Sequence, residues 1–203
     1  MNLIKYILFA IILLVIVAVP SYFYFIQNHT SYATAARSFD LNAEYDVIRK
    51  IVVRCDILEA IVTEQKGKVV SKKWDNLNLS SEKILKDLEI DGTANFVIEN
   101  EHGLMEFQQS VFVGKDRIFV ETKLVKPVAF IKNVNTVFSV KGRTGFFQVH
   151  LAYERRLPKF YQEKVDAEVK KAAERVLENN IKVITEIVEK YKNKKFIIPI
   201  KQR

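Results

Sequence analysis

The chain opens on an unbroken apolar run and then changes rhythm twice. Tyr6 to Ile26 is 21 residues without a charge, the length of helix that crosses a hydrocarbon core of about 30 Å. Tyr22 and Tyr24 stand near its end, where aromatic rings favour the membrane–water boundary. A cleavable leader has a shorter apolar region, about 7–15 residues. The small-residue triplet Ala33-Thr34-Ala35 lies well beyond the run. The segment therefore reads as an uncleaved anchor, with residues 1–30 as anchor and flank.

From Ala94 onward the period is two. Ala94, Phe96 and Ile98 share a face; so do Met105, Phe107, Val111 and Val113, opposite Glu106, Gln108 and Ser110. Ile118, Val120 and Leu124 repeat the pattern, then Val134, Phe138 and Val140, then Phe147, Val149, Leu151 and Tyr153. A sheet with one apolar and one wet face is usually antiparallel, and its apolar face needs a cover. Gly92, Gly103 and Gly114 recur at hairpin spacing. Ser38 to Asn42 reads as a short strand. Residues 68–90 read as two more, taking in Val69, Val70 and Trp74, with a helical turn from Ser80 as the alternative.

The two glycine-free flanks have helical period. Glu44 to Thr63 carries Ile48, Ile51, Cys55, Leu58 and Val62 on one stripe, with a break expected near Cys55-Asp56. Pro158 stands where a helix can open. Tyr161, Val165, Val169, Ala172, Ala173, Val176, Ile184 and Ile187 then recur at three- and four-residue steps. A helix from Pro158 to Lys192 would run about 50 Å and could cover the sheet. Asp166–Lys170, Lys170–Glu174, Glu178–Lys182 and Glu186–Lys190 suit its solvent side.

Charge changes the picture only at the ends. The net charge of +8 comes from 32 basic and 24 acidic residues. Lys5 and six cations within 190–203 account for most of the excess, leaving 25 basic against 24 acidic over 31–189. A near-neutral body excludes a nucleic-acid-binding domain as the first reading. The single cysteine, Cys55, excludes a disulfide framework. Lys5 and the terminal amine precede the apolar run, and Arg37 beyond it is balanced by Asp40. The positive-inside rule then puts the N-terminus in the cytoplasm and the domain outside a cell membrane, periplasmic in a bacterium.

Arg37 to Ala43 followed by Tyr45 to Arg49 resembles the opening strand, small-residue turn and first helix of the helix-grip superfamily, called SRPBCC or START-like. Thr144 to Arg156, then Pro158 and the long helix, is similar to its end. The superfamily includes the birch-pollen-allergen family, polyketide cyclases and lipid-transfer domains. Many bacterial members likewise carry a transmembrane helix ahead of the first strand. The tryptophan-proline-x-tryptophan stretch frequent after the first helix is absent; Cys55 to Ile61 stands there. The resemblance implies an α+β domain over 31–192, a curved antiparallel sheet wrapped on a long C-terminal helix. It also implies an apolar cavity between them for a lipid or other hydrophobic ligand. The residues expected to line it are Trp74, Phe96, Phe107, Val120, Phe138, Val149, Val169, Ala173 and Val176.

Reactive chemistry is sparse. His29, His102 and His150 show no metal-ligand spacing, no nucleophile or phosphate-loop motif occurs, and no metal or cofactor is expected. Cys55 reads as a small buried hydrophobe. Glu106, Glu121 and Glu154 read as solvated carboxylates, with a cavity acid or base as the alternative. The first expectation is a membrane-anchored binding module. The second is a ligand-free assembly subunit with a membrane-protein partner, and the third a cyclase-type enzyme. The partners expected are the bilayer and an apolar molecule. Residues 193–203 combine cations with Phe196, Ile197, Ile198 and Ile200. That tail is expected to dock, because large apolar side chains lose about 1.5–3 kcal/mol each when left in water.

Overall fold

The computed structural model describes residues 12–21, 26–54, 57–64, 66–77, 89–101 and 103–193. Residues 12–21 are helical. No helix among the described residues is long and apolar enough to cross a membrane. Much of the expected span, 6–11 and 22–25, lies outside them.

Seven strands form one antiparallel sheet. They are β1 (Ile26–Asp40), β2 (Lys68–Leu77), β3 (Ile90–Asn100), β4 (Gly103–Val113), β5 (Arg117–Leu124), β6 (Ile131–Lys141) and β7 (Thr144–Pro158). Their spatial order is β1-β7-β6-β5-β4-β3-β2. The meander β2 to β7 is sequential, and β1 adds beside β7. Helices α1 (Tyr45–Arg54) and α2 (Ile57–Glu64) lie between β1 and β2 in the chain. A 3-10 turn, Lys159–Tyr161, leads into α3 (Gln162–Tyr191), which packs chiefly on β1 and β7 and also touches α1 and α2. This is an α+β, helix-grip-like arrangement.

Three boundaries differ from the sequence expectation. β1 is 15 residues long and begins at Ile26, so residues 26–30 belong to the sheet rather than to an anchor flank. They pair with 154–158, Ile26 facing Pro158. Alternation is weak there because Ser31, Ala33 and Ala35 point inward as small side chains that let α3 approach. Second, 68–77 is one strand, and 78–88 lies outside the described residues. Third, Pro158 closes β7 in extended conformation, φ −62° and ψ 142°. Proline is tolerated at a sheet edge or strand end, and α3 begins four residues later. Its 30 residues make it about 45 Å long. Tyr161 is correspondingly exposed rather than on the buried stripe.

The core follows from these pairings. Val165, Val169, Ala173, Leu177, Ile184 and Val188 of α3 meet Ala33 and Ala35 of β1 and Phe147, Val149 and Leu151 of β7. Leu41, Ile48 and Ile51 close the end formed by α1, all fully buried. The β1–α1 corner is set by Asn42 at φ 48°, whose N–H donates to Asp40 Oδ1 at 2.9 Å. Asn42 Nδ2 also donates to Glu189 Oε1 at 2.8 Å, tying that corner to the last turn of α3. Gly145 is needed for close approach: a Cβ there would lie 2.8 Å from the Phe39 ring.

Candidate functional site

Strand register decides which side chains share the face that α3 covers. Phe96 pairs with Phe107, Val120 with Phe138, and Phe138 with Phe147. The nine expected cavity residues do point inward or pack inward, but not around one void. Phe138, Val149, Val169 and Ala173 are buried in the main cluster, with Trp74, Val120 and Val176 half-buried against it. Phe96 and Phe107 stack at 5.4 Å in a second cluster with Met105, Leu124 and Ile131. Val149, Val169 and Ala173 are at most 1% exposed, so side chains fill the expected space beneath α3.

A row that is polar over three neighbouring strands crosses the sheet, and the sequence reading missed it. Ala94, Gln109, Thr122, Thr136, Val149 and Ala35 face one another strand by strand. Gln109 is buried, and its Nε2 donates to Thr122 Oγ1 at 3.2 Å. The signal existed: Gln109, Thr122 and Thr136 each sit in phase with the apolar positions of their strands. Ser31 adds a hydroxyl, 2% exposed, whose Oγ has no hydrogen-bond partner among the described residues. Buried polar groups are costly unless paired, and Ser31 Oγ is such a group beneath α3.

The accessible part of the site lies at the start of α3. A groove of about 600 Å³ runs between residues 129–130, the end of β7 and the first turns of α3. Phe130, Leu157, Tyr161 and Val165 supply its apolar wall; Arg155, Arg156 and Lys164 stand among the charged residues, with Glu154 and Glu168 opposite. Glu154 is held by Lys132 at 2.8 Å, and that hydrogen bond and charge raise the Lys132 pKa. The Arg155 guanidinium lies 4.4 Å from the Phe130 ring centre, a cation–π contact. Phe130 meets Tyr153 edge to face at 5.2 Å, and both pack against the second cluster. Burial pushes the Tyr153 phenol up, with Arg155 acting in the opposite sense. The groove thus has an apolar wall and a mixed-charge rim, the surface an amphipathic molecule requires.

The remaining candidates face outward. Glu106 and Glu121 lie on the sheet face away from α3, held by Lys126 (3.5 Å) and Lys123 (2.9 Å); Glu154, held by Lys132 (2.8 Å), borders the groove. That placement takes Glu106 and Glu121, but not Glu154, away from the groove. His150 Nδ1 lies 2.7 Å from Thr34 Oγ1, on the sheet face away from α3. His29 is half-buried on β1. His102, Cys55 and the tail from 194 lie outside the described residues.

No protein-family model matches the chain, and no curated protein sequence matches it. Solved structures are similar in fold. A START superfamily protein from Mycobacterium smegmatis matches at 17% identity and TM-score 0.43, covering 77% of this chain and 97% of that one. The Zhui aromatase/cyclase from Streptomyces sp. R1128 matches at 6% identity and TM-score 0.46, covering 80% and 95%. A protein of unknown function from Staphylococcus aureus matches at 9% identity and TM-score 0.49, covering 82% and 99%. At these values the likeness is one of fold class and assigns neither ligand nor reaction to this chain.

Proposed function

We propose that the protein is a membrane-tethered binding module that takes a lipid or another amphipathic molecule into the groove at the start of α3. The carrying observation is the groove itself: about 600 Å³, with Phe130, Leu157, Tyr161 and Val165 on its wall and Arg155 and Lys164 at its rim. Its position adds support. β1 opens at Ile26 opposite Pro158, so the charge-free run 6–26 enters the fold at the end of the sheet where the groove lies. Tethering keeps such a site at high effective concentration over membrane-derived ligands. The domain sits outside the cell membrane in this reading, with the N-terminus cytoplasmic.

A second reading, a ligand-free assembly subunit of a membrane complex, is favoured by the filled space around Val149, Val169 and Ala173. Native mass spectrometry of the detergent-extracted full chain separates the two. Binding predicts a co-purified lipid-sized mass that is reduced in Tyr161→Ala, which removes part of the groove's apolar wall. A bare chain in both proteins, or a chain accompanied only by another protein, overturns the binding reading.

A further inference from the structure

The charges around the groove at the start of α3 do not balance. Glu154 on its border is taken up by Lys132 at 2.8 Å. Arg155 and Lys164 then outnumber Glu168 among the described lining residues, before Arg156 is counted. Lys164 and Glu168 are exposed, whereas Arg155 is half-buried. The groups that surround Arg155 carry no acid. His29 stands opposite it on β1, Tyr153 and Leu157 flank it on the same face of β7, and the Phe130 ring centre lies 4.4 Å from its guanidinium. Arg37, Arg49 and Arg143 each have a carboxylate, from Glu178, Asp46 and Glu44. Among the described residues Arg155 has none; its contact is the Phe130 ring.

The backbone fixes this arrangement. The Glu154 N–H donates to Phe130 O at 2.8 Å, which holds residue 130 against β7. Burial raises the Tyr153 pKa, so its phenol brings no negative charge to Arg155. His29 Nε2 is buried and has no hydrogen-bond partner among the described residues. Cross-strand partners have Cβ atoms about 5 Å apart, so a second unsatisfied polar group stands next to Arg155. A cation drawn partly out of water without a counter-charge is costly. The planar fork of a guanidinium matches a carboxylate with two parallel hydrogen bonds.

We propose that the groove selects an anionic amphiphile, a single-chain carboxylate whose head pairs with Arg155 while Lys164 adds charge at the rim. Its apolar body lies along Phe130, Leu157, Tyr161 and Val165. A volume of about 600 Å³ is in the range of small-molecule sites and suits one chain. The inference rests on the groove as the binding site and does not depend on the tether. It adds the sign of the head group to that reading. A neutral ester of the same chain keeps the apolar contacts and loses the ion pair, and an ammonium head meets Arg155 and Lys164 as like charges.

The test uses the full chain in a nonionic detergent, photolabelled with palmitic acid that carries a diazirine in its chain. Palmitate, methyl palmitate and hexadecylamine compete for the label. The result expected is that palmitate competes about tenfold better than its methyl ester, the worth of one charged hydrogen bond, with hexadecylamine the weakest. Arg155→Gln should bring acid and ester level, Lys164→Gln should narrow the gap, and Tyr161→Ala should weaken both alike. The comparison of acid with ester needs no variant, so a misfolded variant cannot hide its outcome. If the two compete equally in the unaltered chain while Tyr161→Ala weakens both, the choice of an anion fails and the groove stands. If the acid keeps its full advantage in Arg155→Gln, Arg155 does not read the head and the proposal is overturned. If no competitor reduces the label, or Tyr161→Ala leaves it unchanged, the groove reading falls and takes this proposal with it.

Discussion

Tyr45 shows how one hydroxyl can join distant parts of this fold. It opens α1, and its OH donates to the carbonyl oxygen of Gly114, in the β4–β5 turn, at 2.9 Å. Burial pushes its pKa up to about 12, against a smaller opposing effect of Arg49. The unfolded phenol ionises near pH 10. Tyr45 therefore contributes stability that is fully present below about pH 10 and is lost as pH rises towards 12. Tyr45→Phe should cost about 1 kcal/mol at neutral pH, the net worth of a hydrogen bond. The gap between the two proteins should shrink by pH 11.5. Urea unfolding of both at pH 8 and pH 11.5 checks this; a gap unchanged across that range would refute it. Nothing local in the sequence marks Tyr45, because its acceptor lies 69 residues away. Gln109 is the contrasting case: its inward phase was readable from Phe107 and Val111, and only its pairing with Thr122 was not.

At the scale of the element, α3 carries the sheet's cover. Its three- and four-residue stripe was legible, since the repeat of Val165, Val169 and Ala173 follows from helix geometry alone. How deep each position lies was not legible, because depth depends on where β1 and β7 sit beneath the helix. Val169 is 1% exposed, whereas Val176 is half-buried on the flank of the stripe. Val169→Asp should therefore destabilise by more than about 3 kcal/mol, by burying an unpaired carboxylate. Val176→Asp should cost about 1–2 kcal/mol, because its carboxylate can turn to water. Urea midpoints compare them directly, and equal losses would contradict the observed helix rotation. Lys182, expected on the solvent side, is exposed but also bridges Glu64 of α2 at 3.1 Å and Glu186 at 3.9 Å.

For the whole molecule the decisive feature is where the domain begins. The hydropathy change near Ile26 suggested a boundary at about residue 30, yet the β1–β7 ladder reaches back to Ile26 and Pro158. Removing residues 1–25 should leave a cooperative fold. Removing residues 1–30 also strips the five ladder residues opposite 154–158 and uncovers the end of β7 beside α3. The shorter protein should melt lower by several degrees, since about 1 kcal/mol corresponds to 2–4 °C at this size. Thermal unfolding of the two fragments tests it, and identical midpoints would show that residues 26–30 add nothing to the domain.

By itself the sequence determined the strand faces from Ala94 onward and the buried stripe of α3. A charge-free run, period-two alternation and period-3.6 stripes are properties of neighbouring residues, and local geometry turns them into a strand face or a helix stripe. It also determined the α+β architecture, because an apolar sheet face and an apolar helix stripe must cover one another. Only the tertiary structure decided the register. Register brought the buried Gln109 and the half-buried Thr122 and Thr136 into one row and divided the expected cavity residues between two clusters. Those relations join residues tens of positions apart, and a one-residue slip in any ladder would turn every side chain of that strand to the opposite face. Such alignments are set by the packing of all the strands together, which no single stretch of the chain contains.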